Sequence, residues 1–176
     1  LVSAGFGLAQ PQAPGVGHPA HLLRVKLADR ALTSTNPLLA VASSLLELSG
    51  GRVTASEVLD LASTEPCRRR FGFTDDDLDR LGRWVARSGV RWGLDEQSRA
   101  PFQMERFAHN TWRAGLDRVL LGVAMSGDDH RHLGRGLPLD DVGSNEIDLA
   151  GRLAELLARL ETCLDGLAAA RTVADW

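Results

Sequence analysis

Two groups of side chains in this sequence have types and spacings suited to chemistry. The first is Asp128-Asp129-His130-Arg131-His132, which sets two imidazoles among carboxylates. Imidazole and carboxylate hold divalent metals, so one reading is an autonomous metal-dependent hydrolase using Asp128, His130 and His132. The plainer reading is a solvated polar loop, because no further ligand stands at helix spacing near it. Cys67, Cys163 and His109 offer zinc-ligand types, but the two thiols form no CxxC pair, and single buried thiols are the commoner outcome. The second group is arginine. Arg68-Arg69-Arg70 form a run, and Arg80, Arg83 and Arg87, followed by Arg91, recur at a spacing that puts them on the polar face of one helix. A cationic stripe of that kind can contact phosphates, so Arg68, Arg69, Arg70, Arg80, Arg83 and Arg87 are the candidate DNA-backbone contacts. The alternative is helix electrostatics. Asp75–Asp77 sit at the positive end of the same helix and the arginines toward its negative end, with Asp76–Arg80 and Asp79–Arg83 as favourable i,i+4 neighbours. Trp84, Trp92 and Trp112 could stack on bases, although core or interface packing is the commoner use of such residues.

The absences narrow the field further. A phosphate-binding P-loop needs GxxxxGK[ST], yet the chain has a single lysine, Lys26, with no glycine loop before it. The same count removes a nuclease site that pairs clustered carboxylates with a lysine, Lys26 itself apart. No GxSxG elbow or HExxH helix is present. The expectation is a segment without catalytic, cofactor-binding or metal-binding residues, and without ATPase or nuclease activity of its own. A net charge of −3 argues against a stand-alone nucleic-acid binder while leaving room for a local basic patch. The two cysteines fit reduced thiols in a cytoplasmic protein. No apolar run reaches the ~18 residues that span a bilayer. The start carries neither an initiator Met nor the basic region and continuous apolar core of a signal peptide, which suggests a chain cut from a longer protein.

The elements that must position these residues are helical. Residues 1–20 are rich in Gly, Pro and Ala and read as a linker, and LLRVKLAD (22–29) as a possible short strand. Asn36-Pro37 opens a helix whose Leu38, Leu39, Ala42, Leu45 and Leu46 share a face, ended by Gly50-Gly51. Thr54-Ala-Ser-Glu57 is a capping box for a helix to about Ala62, and Glu65-Pro66 breaks it. Thr74 opens the arginine helix, with Leu78, Leu81 and Val85 as its seam, Trp84 beside them in the core, Trp92 over its end and Gly89 as its stop. Residues 93–109 read as loop. A helix spans about Asn110 to Met125, with Trp112, Leu116, Val119, Leu120 and Val123 on one side. After a Gly- and Asp-rich loop, a long helix from about Glu146 to Ala170 carries Leu149, Leu153, Leu156, Leu160, Leu164 and Leu167. The prediction is a mainly all-α fold with at least five helices.

Several segments also resemble, in order along the chain, the RecC family of subunits of the bacterial RecBCD helicase–nuclease. They are LADRAL (27–32), NPLLAV (36–41), RVTASEVLDLAS (52–63), RRRFGFTDDDL (68–78), RWVARSGVRWGLD (83–95), NTWRAGLDRVLLGVAM (110–125), LPLDD (137–141) and the closing ADW. The resemblance implies that residues 21–176 are a helical domain similar to the 2B-type insertion of an inactivated superfamily 1 helicase, with residues 1–20 ending the preceding motor-like domain. It further implies RecB, RecD, the rest of RecC and double-stranded DNA ends as partners. It places the domain as a non-catalytic scaffold and possible DNA contact in an ATP-dependent exodeoxyribonuclease V complex that unwinds and degrades DNA under Chi control during double-strand break repair. No Chi-reading residue carries over to this stretch. A protein-interaction module with no DNA role is the remaining alternative.

Overall fold

The structure is a computed structural model that describes residues 36–125, 137–140, 142–169 and 172. The proposed strand at 22–29 and the linker at 1–20 lie outside the described residues. Six α-helices are present among those described: α1 Pro37–Ser49, α2 Ala55–Ser63, α3 Glu65–Phe71, α4 Asp75–Ser88, α5 Trp112–Ala124 and α6 Ile147–Ala169, with 3-10 turns at Gln97–Phe102 and Ser144–Glu146. The fold is all-α, and the one β-type pairing among the described residues is an isolated bridge between Thr54 and Trp92.

Local caps set most helix starts. The Asn36 side chain accepts the Leu38 N–H at 3.0 Å, with Pro37 in the first turn. Thr54 and Glu57 cap each other's backbone N–H groups, and Thr74 and Asp77 repeat the device for α4. Gly89 ends α4 at φ +78°, a left-handed conformation that a side chain disfavours.

Two expectations for the first helices are corrected. Glu65-Pro66 does end α2, but it also opens α3, because proline in the first turn loses no helical hydrogen bond. On α1, the predicted apolar face is not the core face. Leu48 is buried and Leu45 partly so, whereas Leu38, Leu39 and Leu46 are 66%, 40% and 52% exposed.

The core forms where α4 packs against α2 and α5, while α6 packs along α1 and α5. Leu81, Trp84 and Val85 are buried, as their spacing predicts, together with Val58, Leu61 and Trp112. The leucine seam of α6 is buried from Leu149 to Leu164, joined by Ala150 and Leu157. On α5 the inward face is Trp112, Gly115, Val119 and Gly122, and Leu120 is 40% exposed instead of buried. The glycines permit close approach. A Cβ on Gly122 would stand 2.4 Å from the Leu139 carbonyl oxygen.

Candidate nucleic-acid interface

The structure gives most of the candidate arginines partners inside the domain. Arg68 pairs with Asp75 at 2.7 Å, and its Nε donates to the Phe73 carbonyl at 3.3 Å. Arg69 pairs with Glu65 one turn back at 2.8 Å. Arg70 reaches Glu155 on α6 at 3.4 Å and lies over the Phe71 ring. Arg80 bonds Glu146 at the start of α6 rather than its helical neighbour Asp76, and the Glu146 side chain is only 11% exposed. Arg83 is exposed, with no hydrogen-bond or ion-pair partner among the described residues. Arg87 is exposed one turn further along the same face.

Arg152 on α6, which sequence spacing did not single out, completes this seam. Its Nη1 donates to the Gly72 carbonyl at 2.7 Å and to Asp77 at 3.2 Å. Its Nε lies 3.0 Å from Asp148, an ion-pair distance without hydrogen-bond geometry. Burial works to raise the Asp77 carboxyl, but the Thr74 backbone N–H, Arg152 and the Thr74 side chain outweigh it and hold the group below its ordinary value. The seam therefore ties α3 and α4 to α6 through charge, and Asp77 serves it while capping α4.

The other organised region is the turn after α4. The backbone of residues 91–94 is held on two sides. Gly93 donates to the Arg52 carbonyl at 2.8 Å and Ala55 to that of Arg91 at 2.9 Å, while Trp112 donates to Gly93 and Arg113 to Leu94, both at 2.9 Å. At its centre is Arg99, 2% exposed, which sequence reasoning also missed because nothing in QSRAPF marks it. Its guanidinium donates to the carbonyls of Trp92 at 2.7 Å, Phe107 at 2.5 Å and His109 at 2.9 Å, and lies 4.4 Å from the Trp92 ring centroid. Its Nε has no hydrogen-bond partner among the described residues. Burial lowers its pKa, yet a guanidinium stays protonated at any physiological pH. An ion with no carboxylate partner is therefore stabilised by carbonyl dipoles and an aromatic face.

Around this centre the backbone is strained. Val53, Gln103 and Asn110 have φ of +53°, +58° and +63°. Val53 is a β-branched residue in a region it rarely visits, held there because its carbonyl accepts from Trp112 Nε1 at 3.3 Å and from Gly93 N–H at 3.2 Å. Trp92, expected over the end of α4, lies beside Arg52, Arg99 and Phe102. It is half-buried and meets Phe102 edge-on, with ring centroids 5.3 Å apart. Arg118 takes over that end, donating to the Ser88 carbonyl at 2.9 Å, and Trp84 and Trp112 are both too buried to stack on a base.

Along α5 and residues 95–111 runs an open cleft of about 930 Å³ whose lining mixes Asp95, Glu96 and Asp117 with Arg106, Arg113 and Arg118. Arg113 is paired with Glu161 and Arg118 is engaged by carbonyls, so the cleft has no net character of either sign. Asp128, His130 and His132 lie outside the described residues. Cys67 is buried and free, and no group of three metal-ligand side chains forms among the described residues, so Cys67, Cys163 and His109 are not brought together. No helix among them is long and apolar enough to cross a membrane.

Comparison with known proteins then decides the family. A model described as the RecBCD enzyme subunit RecC fourth domain matches residues 35–176. The chain belongs to the RecC family. It is 55% identical over 183 residues to the RecBCD enzyme subunit RecC of Mycolicibacterium smegmatis, covering 100% of this chain and 17% of that protein. It is 54% identical to the RecC subunit of Mycobacterium tuberculosis CDC 1551, again over 100% of this chain and 16% of the relative. With that of Escherichia coli K12 it shares 34% identity over 150 residues, 85% of this chain and 13% of the relative. The chain thus spans about a sixth of the length of the RecC proteins that it matches over its full extent.

Proposed function

We propose that this RecC domain is a non-catalytic scaffold within a RecBCD-type complex that processes double-stranded DNA ends in the bacterial cytoplasm during recombinational repair. RecB, RecD and the rest of RecC are its companions, and it fills the place of a 2B-type insertion in an inactivated superfamily 1 helicase framework. The observation that carries the scaffold reading is the use of its polar chemistry. Arg68, Arg69, Arg70, Arg80, Arg99, Arg113, Arg118 and Arg152 all bond within the domain. Of the six candidate arginines, Arg83 on the outer face of α4 is what remains for a DNA backbone. Membership of the RecC family supports the setting.

The test uses the full-length chain assembled with its companion subunits. Replacing Asp128, His130 and His132 together with Ala is expected to leave ATP turnover, unwinding and DNA degradation at wild-type rates. Loss of cleavage in that variant, with the complex still assembled, would give the metal-hydrolase reading the advantage.

A further inference from the structure

We propose that the loop 95–110 is a docking knob for another polypeptide surface, one that offers an apolar pocket with a carboxylate at its rim. The proposal rests on the reading of this domain as part of a larger assembly.

The first observation is that the loop is built to hold its shape. Arg99 bonds the carbonyls of Trp92, before the loop, and of Phe107 and His109 near its end. A charge is buried for this purpose at 2% exposure, and Gln103 and Asn110 are kept in left-handed conformations that cost energy for residues other than glycine. Strain and the buried cation hold the connection between α4 and α5 in one shape. They pre-organise a surface, which lowers the entropy lost on binding.

The second observation is what the loop displays. Phe102 and Phe107 are 36% and 56% exposed. Arg52, from the adjoining segment before α2, rests its guanidinium 5.1 Å from the Phe102 ring centroid and 5.6 Å from that of Trp92. It is exposed, and among the described residues no carboxylate or carbonyl takes its N–H groups. An arginine stacked on aromatic rings has its orientation fixed and its donor edge free, which suits two-point recognition of a carboxylate. Exposed aromatics beside such an arginine have the composition of the few residues that dominate protein–protein binding.

Charge decides between a protein and a nucleic acid. Asp95, Glu96 and Glu105 lie on or beside the loop, and Glu57 stands at the helix start next to Arg52. They balance Arg52, Arg91, Arg99 and Arg106 nearby in sequence, so no basic field draws a phosphate backbone, and the whole chain is net negative at −3.

The test replaces Phe107 with the photoreactive p-benzoyl-phenylalanine in the full-length chain, assembled with its companion subunits on a duplex end. Assembly is checked by size before irradiation, so failure to assemble, which would count against the proposed function, is seen separately. The expected result is a crosslink to a polypeptide segment, mapped by mass spectrometry, that is lost in Arg52→Ala and kept in Arg83→Ala. A crosslink to the DNA strand, or no crosslink in a full-length chain that is folded, would overturn the proposal.

Discussion

The arginine seam between α3, α4 and α6 and the Arg99 centre after α4 use the same side chain in opposite ways. In the seam, guanidiniums meet carboxylates at the surface: Arg69 and Glu65 are 82% and 59% exposed, and Arg70 and Glu155 are 56% and 46%. Such pairs lose in side-chain entropy and solvent screening much of what they gain from attraction. At the turn, one guanidinium at 2% exposure faces no carboxylate and satisfies backbone carbonyls that have few other donors. Removing Arg69 or Arg70 leaves its partner in water. Removing Arg99 leaves three part-buried carbonyls without their donor, which is the costlier loss. The density of arginine in a sequence therefore says little about its worth, and burial of the partner atoms says much more.

The largest effect is expected at that centre. Arg99→Ala should lower unfolding stability by about 3 kcal/mol, since three part-buried carbonyls lose their donor at ~1 kcal/mol or more each. Chemical denaturation would show it as a lower midpoint. Arg99→Lys should recover only part of the loss, because an ammonium cannot span three carbonyls in the guanidinium's fixed geometry. Full recovery with lysine would erase the contrast between the two regions. Gly93→Ala comes next. Gly93 has φ +78°, and an added Cβ would stand 3.0 Å from Arg99 Nε. A left-handed alanine costs about 1–2 kcal/mol before the contact is relieved, so a loss of roughly 2 kcal/mol or more is expected in the same assay.

The best-buried part of the seam should show in its pH dependence. Asp77 has its pKa lowered by folding, so its contribution is present above the unfolded value of about 3.9 and is lost as pH falls through the still lower folded value. Stability measured from pH 6 downward should therefore fall less steeply in Arg152→Ala than in the wild type, in the acid range below about pH 4. Parallel curves would mean that Arg152 does not hold Asp77. The smallest effect belongs to Arg69→Ala, where the exposed pair should give a shift within about 0.5 kcal/mol.

Much of the fold was legible because its signals are local. Asn36-Pro37, Thr54 with Glu57 and Thr74 with Asp77 all cap helices within three residues, and the α6 leucines repeat at helical spacing along 23 residues. The face of α1 was not legible, since spacing identifies an apolar stripe without saying what covers it. The partners of the candidate arginines were hidden for a related reason. Glu146 is 66 residues from Arg80 and Glu155 is 85 from Arg70, so sequence spacing points Arg80 to Asp76 and gives Arg70 no partner. Arg99 lay in an unremarkable loop sequence, and only the three-dimensional path of the carbonyls reveals its use.

The division is between seam arginines paired inside the domain and Arg83 on the outer face of α4, the candidate left for a DNA backbone. It is tested most directly by the salt dependence of duplex-end binding by the full-length chain assembled with its companions, comparing wild type, Arg70→Ala and Arg83→Ala. Removing one phosphate-binding arginine should reduce the slope of log K against log salt by about one. The expected result is a slope reduced by about one in Arg83→Ala, independent of DNA sequence, and unchanged in Arg70→Ala. A reduced slope in Arg70→Ala with none in Arg83→Ala would contradict the account.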